Sequence, residues 1–158
     1  MHLHLADEAA FANLGANIAG GLRPGLRIYL SGDLGSGKTT LVRAMLRALG
    51  YAGRVKSPSY TLVELYTVSR LHLYHFDFYR FRNADEGRDA GFRDLFGGDA
   101  VCLVEWPDKA LAWLPAPDLD IRISVAGAGR DVEIRSRSES GDKCLDRASG
   151  KRSQEKFS

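Results

Sequence analysis

Apolar positions along the chain change period several times, and each change marks an element. Residues 1–5 alternate weakly, as a short strand does. Asp7 stands where an N-cap belongs, and Ala10, Phe11, Leu14 and Ile18 share one helical face up to Gly20. Gly20-Gly21 and Pro24-Gly25 end that helix and turn the chain into Leu26-Arg27-Ile28-Tyr29-Leu30, a strand candidate. Leu41, Val42, Met45, Leu46 and Leu49 then recur at helical spacing, with Gly50 as the stop. Thr61 to Val68 and Leu71 to Phe78 are rich in β-formers and meet at a turn near Ser69, which predicts a hairpin.

The second half continues in the same mixed style. Short helices or turns are expected over Asn83 to Asp89 and Gly91 to Phe96. Ala100 to Val104 is a continuous apolar run, the mark of a strand buried on both faces. Pro107 is placed to open a helix carrying Leu111 and Leu114. Leu119, Ile121, Ile123 and Val125 alternate with polar residues, and Gly127-Ala128-Gly129 turns that strand into a partner with Val132 and Ile134. From Arg137 onward the chain is polar. The expected organisation is one domain over residues 1–136 and a poorly ordered tail over residues 137–158.

Composition narrows the classes. Residues 1–129 hold 14 basic and 14 acidic side chains, whereas residues 130–158 hold 8 and 6, so the net charge of +2 sits at the C-terminal end. A neutral body lacks the broad basic footprint of a stand-alone nucleic-acid binder. No stretch is long enough to span a membrane, and the N-terminus lacks the cationic and apolar regions of a secretory signal. Cys102 in an apolar run and Cys144 in the polar tail do not read as a disulfide pair, so a reduced cytoplasmic setting is expected.

Between the second strand and second helix lies Gly32-Asp33-Leu34-Gly35-Ser36-Gly37-Lys38-Thr39-Thr40. Gly32, Gly37, Lys38 and Thr39 satisfy the phosphate-loop spacing G-x-x-x-x-G-K-[ST]. Glycines allow the tight bend that converges backbone N–H groups on phosphate oxygens. Lys38 reaches the outer phosphates, the Thr39 hydroxyl is a Mg²⁺ ligand, and the helix start adds its positive dipole end. Hydrolysis needs carboxylates as well. Glu105, closing the buried strand, is the candidate on the metal side; Asp77, closing another, is a candidate for holding the metal through water or orienting the attacking water. These residues alone leave the division of roles between the two open. Thr61, with Ser57 and Ser59, forms a hydroxyl-rich segment suited to sensing a γ-phosphate. Arg80 is read as a surface ion-pair former, Trp106 as a core aromatic, and His72 and His75 as two partly exposed imidazoles on opposite faces of a strand.

Taken together, GDLGSGKTT, KSPSYTLVELY, HFDFYR and VEWPDKA, in this order and spacing, resemble the TsaE (YjeE) family from about Asp7 to Arg130. The resemblance implies a P-loop NTPase-like α/β three-layer sandwich, its central sheet mainly parallel with added antiparallel strands. It implies ATP and Mg²⁺ as cofactors and slow ATP hydrolysis. The implied partner is a TsaD–TsaB complex that transfers threonylcarbamoyl to adenosine 37 of tRNA, with tRNA itself an indirect partner. Thr39 and Glu105 take the metal, and Lys38, Asp77 and Glu105 form the catalytic set. Nucleotide contacts fall on Asp33, Leu34, Gly35, Ser36, Gly37, Lys38, Thr39, Thr40, Thr61 and Trp106, with Glu8 and Arg130 matched to family positions near the nucleotide. Ser59 stands where the family more often has Thr. Two other classes fit the loop: a small-molecule kinase, with Arg80, Arg82, Arg88 and Arg93 as a phosphate clamp, and a non-catalytic nucleotide-dependent interaction module.

Overall fold

A computed structural model describes residues 1–150. Seven strands are built: β1 (His2–Leu5), β2 (Arg27–Ser31), β3 (Val63–Val68), β4 (Leu71–Asp77), β5 (Val101–Glu105), β6 (Leu119–Ala126) and β7 (Gly129–Ser136). They form one sheet in the order β1-β7-β6-β2-β5-β4-β3. The four inner strands, β6, β2, β5 and β4, run parallel; β7 and β1 at one edge and β3 at the other pair antiparallel. One edge is the β3–β4 hairpin; at the other, β7 returns from β6 as a hairpin, and β1, joined to β2 by a crossover through α1, is added outside it.

Four α-helices accompany the sheet: α1 (Glu8–Gly21), α2 (Lys38–Ala48), α3 (Asp85–Asp89) and α4 (Glu139–Ala148). Side-chain parity sorts the core in two. Ile28, Leu30, Val101, Leu103, Leu119 and Ile121 point to one face and pack with Phe11, Leu14 and Ile18 of α1 and Leu41, Val42 and Met45 of α2. Tyr29, Cys102, Val104 and Phe76 point to the other and pack with Phe78, Phe81, Phe96 and Trp113. That second layer is built from α3 and short 3-10 turns at Phe92–Phe96 and Pro107–Ala110, held by stacked rings such as Phe76 on Phe96 at 4.8 Å. The structure is a mixed α/β sheet of seven strands with helices. Pro107 does open a helix, but only a single 3-10 stretch through Ala110, so Leu111 is left exposed.

The expectation of a frayed tail from Arg137 is corrected by α4. Ser138 caps it by accepting from Gly141 N–H at 3.0 Å, while its hydroxyl donates to Asp118 Oδ1 at 2.6 Å. The other Asp118 oxygen accepts from the Arg27 N–H at 2.8 Å, so one carboxylate ties the helix start to the sheet. Composition hid this helix because its buried anchors are few: Gly141 and Cys144 are its buried residues, and Leu145 adds partial burial. Cys144 is 1% exposed against α1, and burial pushes its thiol up to about 11. Gly21 permits that approach, because a Cβ there lies 2.3 Å from the Cys144 carbonyl oxygen. Residues 151–158, also called tail, lie outside the described residues.

Two outcomes follow for α4. Gly21→Val should displace it, lower the melting temperature, and open Cys144 to a thiol reagent that leaves the native protein unlabelled. Deleting residues 138–158 should cost about 2 kcal/mol of unfolding free energy, the order of one buried apolar side chain, measured by urea denaturation.

Candidate functional site

The register of β5 brings the two sequence-distant carboxylates together. Glu105 pairs with Leu30 of β2 on one side and with Asp77 of β4 on the other. Paired residues share a face of the pleat, so Asp77 and Glu105 stand side by side at the carboxyl ends of their strands. The glycine loop leaves β2 at this same end and delivers the first residue of α2, Lys38, above them.

The loop has no freedom to be anything but glycine at two places. Gly32 has φ +150° and a Cβ there falls 2.3 Å from the Ile123 carbonyl oxygen; Gly37 has φ +112° and a Cβ there falls 2.7 Å from the Phe11 ring. As the N-cap of α2, Gly37 supplies no side chain to the free N–H groups of the first turn. Arg130 braces the loop from β7, donating from Nε to the Ser36 carbonyl at 2.9 Å and from its terminal nitrogen to that of Gly35 at 3.2 Å.

Lys38 is buried and folded back, its ammonium donating to the carbonyls of Gly32 at 2.6 Å and Asp33 at 2.9 Å. It also stands 4.5 Å from the centre of the Trp106 ring. Burial draws its pKa below the ordinary lysine value, against the opposing pull of Glu105 first and Asp77 next. The Thr39 hydroxyl donates to the Glu105 carboxylate, 3.0 Å from Oε1 and 2.9 Å from Oε2. Asp77 is engaged separately: Oδ2 accepts from the Ser57 hydroxyl, and Oδ1 from the Tyr79 N–H at 2.9 Å. The structure therefore distinguishes the carboxylates by contact, Glu105 facing Thr39 and Asp77 facing the Ser57 segment.

These groups surround a cavity of about 390 Å³ lined by Leu34, Gly35, Gly37, Lys38, Thr39, Thr40, Ser57, Ser59, Asp77, Tyr79, Arg80, Glu105 and Trp106. Trp106 holds a positive φ of 58° and lies 5.0 Å from the Tyr79 ring, so it is a wall of the cavity as well as part of the core. Arg80 forms no ion pair in the described structure; its guanidinium lies over the exposed Tyr60 ring at 4.0 Å. Among the described residues, the buried polar side chains are Ser36, Lys38, His75, Asp77 and Glu105, all of the loop or the carboxylate pair and its neighbour. Buried charge gathered at one place points to a functional site.

A family model described as "Threonylcarbamoyl adenosine biosynthesis protein TsaE" matches residues 5–132. The chain belongs to the TsaE family. Its relatives include the Haemophilus influenzae tRNA threonylcarbamoyladenosine biosynthesis protein TsaE, 43% identical over 116 residues, which are 73% of each chain. The Bacillus subtilis protein of the same name is 42% identical over 77% of this chain and 73% of its own. The crystal structure of Bacillus subtilis YdiB superposes with a TM-score of 0.79 at 28% identity, covering 95% of this chain and 94% of that one. The TsaE segments quoted above, the loop, Ser57–Thr61, His75–Arg80 and Glu105–Trp106, fall within the matched span.

Not every expected residue reaches the cavity. Leu34, Gly35, Gly37, Lys38, Thr39, Thr40, Asp77, Glu105 and Trp106 line it; Glu8, Asp33, Ser36, Thr61 and Arg130 do not. Glu8 begins α1 just after its cap Asp7, Asp33 contributes its carbonyl to Lys38, and Thr61 lines a separate hollow with Tyr51 and Tyr66. Ser57 and Ser59 provide the segment's hydroxyl contribution instead. His75 contradicts the reading of a partly exposed imidazole. It is fully buried, and its Nε2 lies 2.6 Å from Glu105 Oε2. Parity held the clue: His75 is two residues before Asp77, so it shares that residue's face, whereas His72 takes the other and is exposed.

Because Arg130 touches the loop and not the cavity, Arg130→Ala should weaken ligand binding in the cavity indirectly. The expected loss is about 3- to 10-fold, from removing one to two hydrogen bonds to a partly exposed loop, measured by titration calorimetry with ATP. Lys38→Ala should lower affinity far more.

Proposed function

We propose that the chain binds ATP with Mg²⁺ and hydrolyses it slowly, as the subunit that permits turnover of a TsaD–TsaB assembly modifying tRNA at adenosine 37. The observation that carries this reading is the convergence of Lys38, Thr39 and Glu105 on one cavity at the bare N-terminus of α2. Free N–H groups and the helix dipole at that end suit an anion. The Lys38 ammonium rests on two loop carbonyls that phosphate oxygens replace when nucleotide binds.

The donor set fits Mg²⁺. Thr39 Oγ1 and a Glu105 oxygen already lie within 3.0 Å of each other, a hydroxyl and a carboxylate being the protein share that Mg²⁺ takes when phosphates and water complete its shell. Among the described residues no group of three or more His, Cys, Asp or Glu side chains is set to hold a metal alone, which agrees with a cation held jointly with its nucleotide. When bound, Mg²⁺ supplies neutralisation of charge on the phosphates. Lys38 adds its own positive charge beside the outer phosphates. Asp77, held by Ser57 and the Tyr79 N–H, is the carboxylate left to orient the attacking water. Trp106 and Tyr79 shield one wall of the cavity from solvent.

The partner assignment is supported by membership of the TsaE family and by its relatives' names as tRNA threonylcarbamoyladenosine biosynthesis proteins. No helix among the described residues is long and apolar enough to cross a membrane, in keeping with a cytoplasmic subunit.

Phosphate release measured with and without purified TsaB–TsaD tests the whole reading. Slow release alone, stimulation by the partners and abolition by EDTA are expected. Strong unstimulated hydrolysis, or label from γ-labelled ATP appearing in a small metabolite, overturns it. Glu105→Ala should lower hydrolysis about 100-fold while changing metal-free nucleotide affinity little, since a preorganised charge is lost. Unchanged hydrolysis in that variant refutes the metal-side assignment.

A further inference from the structure

His75 has no role in the chemistry above, yet it is the buried side chain most directly attached to it. It lies on β4 opposite Leu103 of β5, so Glu105, two residues further along β5, is its diagonal neighbour on the same face. The Nε2 to Oε2 separation is 2.6 Å, with His75 0% and Glu105 4% exposed in their side chains. His75 Nδ1 has no hydrogen-bond partner.

A carboxylate oxygen only accepts, so Nε2 is the donor of this hydrogen bond, and it is the one hydrogen bond the ring makes. Glu105 Oε2 then accepts from two sides, from His75 within the sheet and from Thr39 at the start of α2. These two contacts place the carboxylate between the sheet and the loop. Removing His75 leaves Thr39 as its one side-chain partner, and a glutamate with three rotatable bonds is no longer held when Thr39 turns to another ligand.

We propose that His75 is a positioning residue that pre-orients Glu105 for a divalent cation shared with the nucleotide. This rests on the reading of Thr39 and Glu105 as the metal side of the site. Outer partners of metal-binding carboxylates act in this way by fixing orientation, and their loss costs 10- to 100-fold in metal affinity. The chain's own division of labour supports it: the hydrogen bonds of Asp77 go to Ser57 and Tyr79, and those of Glu105 to Thr39 and His75.

The test compares His75→Gln with His75→Met, two side chains of similar length of which only glutamine can donate from near the Nε2 position. Mn²⁺ binding to the protein–ADP complex is followed by electron paramagnetic resonance, ADP affinity in EDTA by calorimetry, and stability by thermal unfolding. The Met variant should lose about 10-fold or more in Mn²⁺ affinity with metal-free ADP affinity within about 2-fold, and Gln should recover most of the loss. Equal Mn²⁺ affinity in the wild type and the Met variant overturns the proposal, as does equal loss in both variants at matched stability. If neither variant folds, ¹⁵N-histidine spectra of the wild type decide: a proton on Nε2 whose signal shifts when Mg²⁺ is added to the ADP complex supports the role. An Nδ1–H tautomer, or a ring signal indifferent to Mg²⁺, overturns it. Failure of the wild type to bind Mn²⁺ in the ADP complex instead overturns the functional reading on which the proposal rests.

Discussion

Parallel pairing of β5 with β2 and β4 is the constraint on which the site depends. Backbone hydrogen bonds set Glu105 level with Leu30 on one side and Asp77 on the other. The pleat then directs both carboxylates to one face, the face over which α2 begins. A slip of one residue in β5 sends Glu105 to the aromatic side of the sheet and buries it without a partner. The apolar run from Val101 to Val104 resists such a slip, because alternate residues fill two different cores: Leu103 among the helices and Val104 among the rings of Phe76 and its neighbours.

Burying ionisable groups in this way costs free energy unless each is bonded. The structure meets that cost locally. Lys38 has two carbonyls, Asp77 a hydroxyl and a backbone N–H, and Glu105 a hydroxyl and an imidazole. The contacts of Lys38 and Thr39 are with groups of the site itself, so both can be exchanged for a ligand without unfolding anything. Those of Asp77 reach the Ser57 segment, which runs on to the exposed Tyr60, where the Arg80 guanidinium stacks on the ring.

Away from the site the fold is held by ordinary means, with one economy at α4. A single carboxylate, Asp118, receives both the cap serine of that helix and the first N–H of β2. The helix is otherwise polar and buries little more than Cys144 and part of Leu145 against α1. Its attachment depends on glycines at Gly21 and Gly141 that let backbones approach, not on a broad apolar stripe.

The sequence by itself determined most strands and long helices, the glycine loop, and the identity of the charged groups that meet beside it. Periodicity and turn chemistry are local, and they were legible in Leu26–Leu30, in Leu41–Leu49 and in the alternation from Leu119 to Val125. What only the tertiary structure decided was which distant groups meet. That Glu105 faces Thr39 while Asp77 faces Ser57 follows from strand register and helix placement, which no local pattern encodes. The burial of His75, the bracing of the loop by Arg130 from β7, and the docking of α4 have the same origin. Each rests on contacts between residues far apart in the chain, and a side chain's type states what it can bond to, not what the fold brings within reach.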